Sequence, residues 1–192
     1  RTAVPGEHDG RFVRAVAGVD AGGLSERDTA LLNRIGDTVH PLGAVLKTRI
    51  EGQAVQRLVA RGLVQVAGVT PSDASHVLGG LTAWDRDAAE KALLLFGRRR
   101  TGAGEVLARD AATLAQMIVD RLTEQTVLAL LETAFAEEGD LFDAPPAELA
   151  RHVLMKRALS GHRGLIALQA GLAVDVIGLG ASASSYYPAV GE

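Results

Sequence analysis

The chain has 192 residues, a formal net charge of -3 and no cysteine; 47% of its residues are hydrophobic and 22% are charged. This composition is typical of one globular domain or two small ones, and it excludes a disulfide framework, a thiolate metal site and a cysteine nucleophile. No apolar run is long enough to span a membrane, and no signal-peptide pattern opens the chain, so we expect a cytoplasmic protein.

The first 70 residues predict a strand and then a small helical module. Residues 1–23 are rich in glycine, and within them only RFVRAVAGV (11–19) alternates as a strand does. Ser25 is typical of an N-cap and Gly36 of a helix end, so a first helix is expected between them. Two further helices are expected at 41–47 and 51–61, followed by a strand and turn in GLVQVAGVTP. Together these elements predict a small winged-helix module over residues 24–70.

Residues 71–192 predict a helical region that closes with a strand pair and a glycine turn. Caps and helical spacing predict helices in TPSDASHVLGGL, in AWDRDAAEKALLLFGRR, over about 104–138 and in DAPPAELARHVLMKRALSG. The apolar runs GLIALQA (164–170) and LAVDVIGLG (172–180) predict strands, and a further helix is expected directly behind Gly180. The sequence therefore predicts a mainly helical α/β or α+β chain.

The helix start in TPSDASHV brings several polar residues together. Thr70 is typical of an N-cap, and Asp73 and His76 are three residues apart and so share a helix face. A catalytic metal would need more ligands, but the five histidines are scattered along the chain. We interpret Thr70, Asp73 and His76 mainly as a well-made helix start, and otherwise as candidates for substrate contact or lobe packing.

The segment VIGLGASAS predicts a strand that ends in Gly-x-Gly and turns at once into a helix. Glycines let the backbone approach a ligand without a Cβ clash, and the first amides of a helix can bind an anion. The alternative is that the two glycines only permit a tight turn. The candidate ligand-binding residues are Gly178, Gly180, Ser182 and Ser184. No catalytic residue or metal ligand is assigned.

Aromatic residues lie next to both motifs. Trp84 and Asp85 are interpreted as an anchoring side chain and an N-cap rather than as a substrate platform. Tyr186 and Tyr187 follow the glycine turn, and one of them can face a pocket while the other packs. The sequence does not indicate which tyrosine does which.

The motifs TPSDASHVLGGLTAWDRDAA and VIGLGASASSYYPAV, together with LVARGLV just upstream, resemble the hydantoinase A and 5-oxoprolinase family, which includes N-methylhydantoinases and related carboxylase subunits. The resemblance spans most of the chain. It implies the actin, hexokinase and Hsp70 superfold, in which ATP binds between two lobes with the help of magnesium. It also implies that the enzyme hydrolyses a cyclic amide, such as a hydantoin or lactam ring, at the expense of ATP.

Two features depart from the pattern of that family. The Asp-Gly-Thr phosphate motif of the N-terminal lobe is not found, and Gly180-Ala181-Ser182 stands where Gly-Ala-Pro is expected. The chain also begins without Met and ends in a predicted helix, so we expect it to be the C-terminal portion of a longer enzyme and inactive on its own. The implied partners are the N-terminal ATPase lobe, and a second subunit or further copies of the same protein.

Two other classes of function stay open. Residues 41–64 carry Lys47, Arg49, Arg57 and Arg61 against Glu51 alone, a surplus that a DNA-recognition helix can use on phosphates. The surplus is small and no aromatic residue lies there for stacking, so nucleic acid is the less favoured partner. The alanine-rich long helix would also suit a non-catalytic interaction module.

Overall fold

The structure, a computed structural model, describes residues 4–180 and 183–191. The chain divides into two compact units, Arg1–Gln116 and Met117–Glu192. The three strands are β1 (Phe12–Ala15), β2 (His40–Pro41) and β3 (Val64–Ala67). The helices are α1 (Glu26–Ile35), α2 (Leu42–Val45), α3 (Glu51–Ala60), α4 (Pro71–Leu78), α5 (Arg86–Gly97), α6 (Ala111–Glu137), α7 (Pro146–Arg151), α8 (Val153–Leu159), α9 (Ala183–Tyr186) and α10 (Pro188–Gly191). With 52% helix and one small antiparallel sheet in the described residues, the mainly helical α+β prediction is confirmed.

The first unit is built on a three-stranded sheet of order β2-β1-β3. The central strand β1 pairs antiparallel with both neighbours, so that Phe12 lies opposite Pro41 on one side and Ala67 on the other. Helices α1, α2 and α3 close one face of the sheet over an apolar core. Val13 of β1 is part of that core, so β1 packs against the helices of the first unit. The buried core residues are Val13, Leu31, Ile35, Leu42, Val45, Ala54, Val55, Leu58, Leu63 and Val64.

Local capping signals set the helix boundaries of the first unit. Ser25 Oγ accepts the amide of Asp28 at 3.1 Å, and Gly36 ends α1 with a φ of 63°. Gly79, with a φ of 81°, ends α4, and Asp85 caps α5 by accepting the amide of Ala88 at 3.1 Å. The predicted break between these two helices is therefore confirmed.

The long helix α6 begins later than predicted. Residues 101–105 form a tight turn instead, in which the Thr101 amide donates to the Glu105 carbonyl at 2.9 Å. The side chain of Asp110 then accepts the Thr113 amide at 2.7 Å, which starts the helix at Ala111. The helical period near residue 104 therefore overestimates the helix by about two turns.

The single helix predicted in DAPPAELARHVLMKRALSG is wrong, because the chain forms the two helices α7 and α8. His152 breaks the helix with extended backbone (φ -61°, ψ 142°), and its ring accepts the Leu154 amide at 3.3 Å. His152 thus serves as the N-cap of α8. Pro146 opens α7, as the double proline predicts.

The predicted strand pair at 164–170 and 172–180 is also wrong. Residues 162–168 fold back on themselves, with the Leu168 amide donating to the His162 carbonyl at 2.9 Å. Residues 171–179 find no backbone hydrogen-bond partner within the described residues. An apolar run becomes a strand only when a neighbouring strand pairs with it, and this unit offers none among the residues described.

Candidate functional site

The glycine turn of the second unit keeps the predicted bend and helix start, but the strand predicted before it is absent. The chain runs without a bend through residues 175–179 and then bends at Gly180, and α9 begins at Ala183. Gly180 has a φ of 117°, which L side chains rarely adopt, and its carbonyl accepts the Ala183 amide at 3.1 Å. The backbone at this position therefore favours glycine.

Gly178 and Gly180 are glycine for different reasons. A Cβ placed on Gly178 would overlap the ring of Tyr187, so this residue lets the backbone pack closely against an aromatic side chain. A Cβ placed on Gly180 would meet no atom within 4 Å. The backbone at Gly180 therefore borders open space into which a ligand can fit, while Gly178 serves the internal packing of the unit.

The two candidate serines follow the turn. Ser184 lies in the first turn of α9 and is exposed. Ser182 lies outside the described residues. Of the other predicted ligand-binding residues, Gly178 and Gly180 precede positions 181–182, which lie outside the described residues, and Ser184 follows them.

A cavity of about 760 Å³ adjoins this turn within the second unit. Its walls come from the second half of α6, from residues 170–179 and from the C-terminal helices, and they are mostly apolar. Thr126, Asp175 and Tyr187 supply the polar side chains, and the Thr126 hydroxyl donates to the Leu122 carbonyl at 2.9 Å. A cavity of this size and lining suits a compact organic group or apolar side chains, with one carboxylate for orientation.

Tyr187 and Asp175 are the residues that sequence reasoning did not assign. Tyr187 lines the cavity, whereas the hydroxyl of Tyr186 is buried and has no hydrogen-bond partner among the described residues. The sequence left this choice between the two tyrosines open. Asp175 gave no signal because a single acid inside an apolar run has no spacing pattern that would indicate a site.

The polar residues of the first motif lie in the first unit and are engaged in helix capping. Thr70 Oγ1 accepts the Asp73 amide at 3.4 Å, and the Asp73 carboxylate accepts the Thr70 amide at 2.7 Å and its hydroxyl at 2.6 Å. This is a complete capping box at the start of α4. Val77 of this helix is buried, whereas Leu78 is 41% exposed.

His76 is buried and uses both ring nitrogens inside the fold. Nδ1 lies 2.7 Å from the carbonyl oxygen of Ser72, and Nε2 lies 3.0 Å from the backbone nitrogen of Trp84. Neither nitrogen is left to bind a substrate or a metal. Thr70, Asp73 and His76 therefore act in this structure as parts of a well-made helix start.

The carboxyl groups with lowered pKa belong to ion pairs and helix caps, not to the glycine turn. A hydrogen bond from Arg57 at 2.8 Å lowers the pKa of Asp28. Hydrogen bonds from Arg34 and from the Lys47 amide, both at 2.6 Å, lower the pKa of Glu51. The Thr113 amide lowers the pKa of Asp110. These shifts have structural causes and indicate no catalytic acid or base.

No family model, curated protein or solved structure matches this chain.

Within the described ranges, no group of three or more His, Cys, Asp or Glu is arranged to hold a metal ion. In the same ranges, no helix combines the length and the apolar character needed to cross a membrane.

Proposed function

We propose that this chain is the C-terminal part of a hydantoinase- or oxoprolinase-like enzyme that hydrolyses a cyclic amide with ATP. The motifs TPSDASHVLGGLTAWDRDAA and VIGLGASASSYYPAV support the proposal by their resemblance to that family. The observation that carries it is at Gly180, where a positive φ, open space beside the backbone and the start of a helix coincide. On this proposal the chain belongs to one lobe of an actin-like ATPase superfold.

The backbone at Gly180 forms one wall of the proposed phosphate site. A phosphate can approach the main chain there because Gly180 has no Cβ and no other described side chain lies within 4 Å of the position that a Cβ would take. Since α9 has only four residues, its dipole adds little, and because the Ala183 amide already donates to the Gly180 carbonyl, the attraction must come from the amides that follow it in this turn. The exposed hydroxyl of Ser184 can donate to the same anion. When bound, ATP would supply the free energy that ring opening requires.

The cavity beside the glycine turn offers a magnesium ion a single carboxylate, that of Asp175. Among the described residues, no group of three or more His, Cys, Asp or Glu is arranged to hold a metal ion. Protein-bound Mg²⁺ usually takes one or two carboxylates together with phosphate oxygens and water. We therefore propose that an N-terminal lobe supplies the magnesium-binding carboxylates, and that this lobe is the partner with which the chain forms a complete site.

The DNA-binding alternative loses support from the contacts of its basic residues. Arg57 pairs with Asp28, and the Arg61 guanidinium donates to the Gly22 carbonyl at 2.6 Å. Of the four positive charges that favoured a recognition helix, Lys47 and Arg49 alone keep side chains without a partner among the described residues. Two such charges supply little phosphate binding.

Titration with a polyphosphate tests the proposed site directly. The chain should show saturable changes in the amide signals around Gly180, and a negative charge introduced there should weaken them. A recognition helix would instead shift duplex DNA in a gel at low salt. Binding of DNA without any response to polyphosphate at Gly180 would contradict the enzyme proposal and favour the alternative.

A further inference from the structure

The segment of residues 82–84, which lies between α4 and α5 in the first unit, is held in place by one hydrogen bond. The two residues before it donate their amides to the Ser75 carbonyl, and Asp85 after it caps α5. Between these anchors, residues 82–84 make a single hydrogen bond to the described part of the chain, from the Trp84 amide to Nε2 of His76 at 3.0 Å. The position of the segment therefore depends on whether Nε2 accepts a hydrogen bond.

The imidazole of His76 is covered by the indole of Trp84. His76 is 2% exposed and Trp84 is 69% exposed, and the two rings are stacked with their planes 5° from parallel. Histidine is the side chain whose charge ordinarily responds to mild acid. The exposed indole therefore lies over a buried ring that is able to gain a proton.

Only the neutral ring of His76 fits these contacts. A backbone amide can only donate, so Nε2 accepts from Trp84, and the ring proton is on Nδ1, which donates to the Ser72 carbonyl at 2.7 Å. When the ring gains a second proton, Nε2 becomes a donor as well. Two N–H groups then face each other with their nitrogens 3.0 Å apart, and neither has an acceptor.

The charged side chains of α4, α5 and the residues between them offer no substitute acceptor. Among the described residues, the ring forms no hydrogen bond with a carboxylate. The Asp73 carboxylate is engaged in the capping box of α4, Asp85 caps α5, and the Arg86 guanidinium donates to a backbone carbonyl of α4 at 3.1 Å. Helix α5, which packs against α4, carries three further charged residues, and all are exposed: Asp87, Glu90 and Lys91. The acceptor for a protonated Nε2 must therefore be water, which can replace the Trp84 amide once that amide moves away.

We propose that protonation of His76 releases Trp84 and residues 82–84 from α4, so that the segment between the two helices is sensitive to pH. The stacked indole attracts an imidazolium ring, which opposes release. That attraction is smaller than the cost of leaving a charged N–H group and a backbone amide without acceptors. The anchors at Ser75 and Asp85 involve no histidine, so the release stays confined to this segment. It does not depend on the proposed enzyme function.

An NMR titration of the wild-type chain tests whether protonation and release coincide. The Hε1 signal of His76 reports protonation of the ring, and exchange of the Trp84 amide with solvent reports release. After correction for the intrinsic effect of pH on exchange, this amide should exchange at least about ten times faster when His76 is protonated, while the amides of α3 stay protected. Protonation of His76 without faster exchange at Trp84 would overturn the proposal. A ring that stays neutral until α3 also loses its protection would overturn it too.

Two glutamine variants separate His76 from the other histidines. In His76→Gln the side-chain oxygen can accept the Trp84 amide and the NH₂ group can donate to the Ser72 carbonyl, but the side chain does not titrate. Exchange of the Trp84 amide in this variant should change by less than about twofold over the same pH range. His40→Gln removes a histidine of the same unit that contacts Thr38 Oγ1, and it should respond to pH as the wild type does.

Near-UV circular dichroism measures the stacking separately, since Trp84 is the single tryptophan of the chain. Release removes the fixed orientation of the indole, so the wild type and His40→Gln should lose the tryptophan signal as His76 is protonated, while His76→Gln keeps it. Loss of the signal in all three proteins would assign the acid response to another group and overturn the proposal, and so would a signal retained in all three. If far-UV circular dichroism shows that His76→Gln does not fold, the coincidence of the two NMR signals in the wild type still decides.

Discussion

Trp84 stacks on the buried ring of His76 and also donates its backbone amide to that ring. The ring centroids are 5.4 Å apart with planes 5° from parallel, and the amide nitrogen lies 3.0 Å from Nε2. Because Nε2 accepts this hydrogen bond, Nδ1 carries the proton and donates to the Ser72 carbonyl. One neutral tautomer of His76 thus holds the loop that follows α4 against that helix.

Replacing His76 with Phe should destabilise the first unit. Phe can still stack on Trp84, but it leaves the Trp84 amide without an acceptor, which should lower the free energy of unfolding by about 1–3 kcal/mol. Urea denaturation followed by Trp84 fluorescence measures this, since the chain has a single tryptophan. Leu78→Ala, at an exposed position of the same helix, is the control and should change stability little. Equal stability of His76→Phe and wild type would contradict the role assigned to the hydrogen bond.

Removing the Thr70 hydroxyl should weaken the capping box of α4. Thr70→Ala loses the acceptor for the Asp73 amide and the hydroxyl that donates to the Asp73 carboxylate, so we expect a loss of about 1 kcal/mol in unfolding free energy. Thr70→Ser keeps both contacts and should stay close to the wild type. Chemical denaturation measures the free energy of unfolding of the wild type and both variants. If Thr70→Ser is as unstable as Thr70→Ala, the effect comes from the lost methyl group and not from the hydroxyl.

Local signals explain why most helices could be predicted. Ser25, Thr70 and Asp85 each cap a helix through a hydrogen bond to an amide three residues ahead, and that chemistry is readable from a few neighbouring residues. His152 shows the limit of such signals. No sequence pattern indicates that the ring of a histidine inside a helical segment will cap a new helix, so the sequence predicts α7 and α8 as one helix.

The wrong strand pair shows what sequence alone does not contain. LAVDVIGLG has the apolar character of a buried strand, but burial and pairing depend on a partner that the run itself does not specify. In the structure Ile177 and Leu179 are exposed instead. The candidate site likewise has one part that the sequence could predict and one that it could not. The turn at Gly180 depends on the local backbone. The cavity beside Tyr187 forms only where chain segments distant in sequence pack together.

The ion pair between Asp28 and Arg57 should contribute to acid sensitivity. The Arg57 hydrogen bond lowers the pKa of Asp28 in the folded state below its value in the unfolded state. The stabilisation is therefore complete above the unfolded pKa, near 4, and is lost as the pH falls through the folded pKa. Asp28→Asn should lower the free energy of unfolding at pH 7 by about 1 kcal/mol. The effect is no larger because Arg57 is half-exposed and solvent weakens the ion pair. At low pH the stability of the variant should approach that of the wild type.

Urea denaturation between pH 7 and pH 2.5 measures the difference between these two proteins. Glu51, whose pKa is lowered by Arg34, contributes acid sensitivity in the same direction, so both proteins should still lose stability on acidification. The predicted effect is that the difference in unfolding free energy between the wild type and Asp28→Asn becomes smaller as the pH falls. A gap that is constant over the whole pH range would show that Asp28 acts through packing rather than through its charge.

The chain alone should not turn over ATP. The proposed phosphate site has one wall at Gly180, and no group of three or more His, Cys, Asp or Glu among the described residues is arranged to hold a metal ion. Phosphate release from ATP and magnesium should therefore stay at the background rate, with and without a hydantoin or 5-oxoproline. Sustained release that depends on magnesium would contradict the two-lobe model of the site, provided that it persists through further purification.

Substitution of Gly180 by Asp and by Asn separates the charge of an anion site from the conformation of a turn. Both side chains have nearly the same size and share the strain at a φ of 117°, but only Asp places a negative charge beside the proposed phosphate. Two unit charges about 4 Å apart repel by about 1 kcal/mol even in water, so Asp should bind tripolyphosphate at least about fivefold more weakly than Asn. Titrations followed by the amide signals of residues 178–184 give both affinities, and melting curves show whether the two variants are equally folded. Equal affinities for Asp and Asn, or a wild-type chain whose signals do not saturate at millimolar ligand, would remove the anion site and leave Gly180 as a residue required only by its turn.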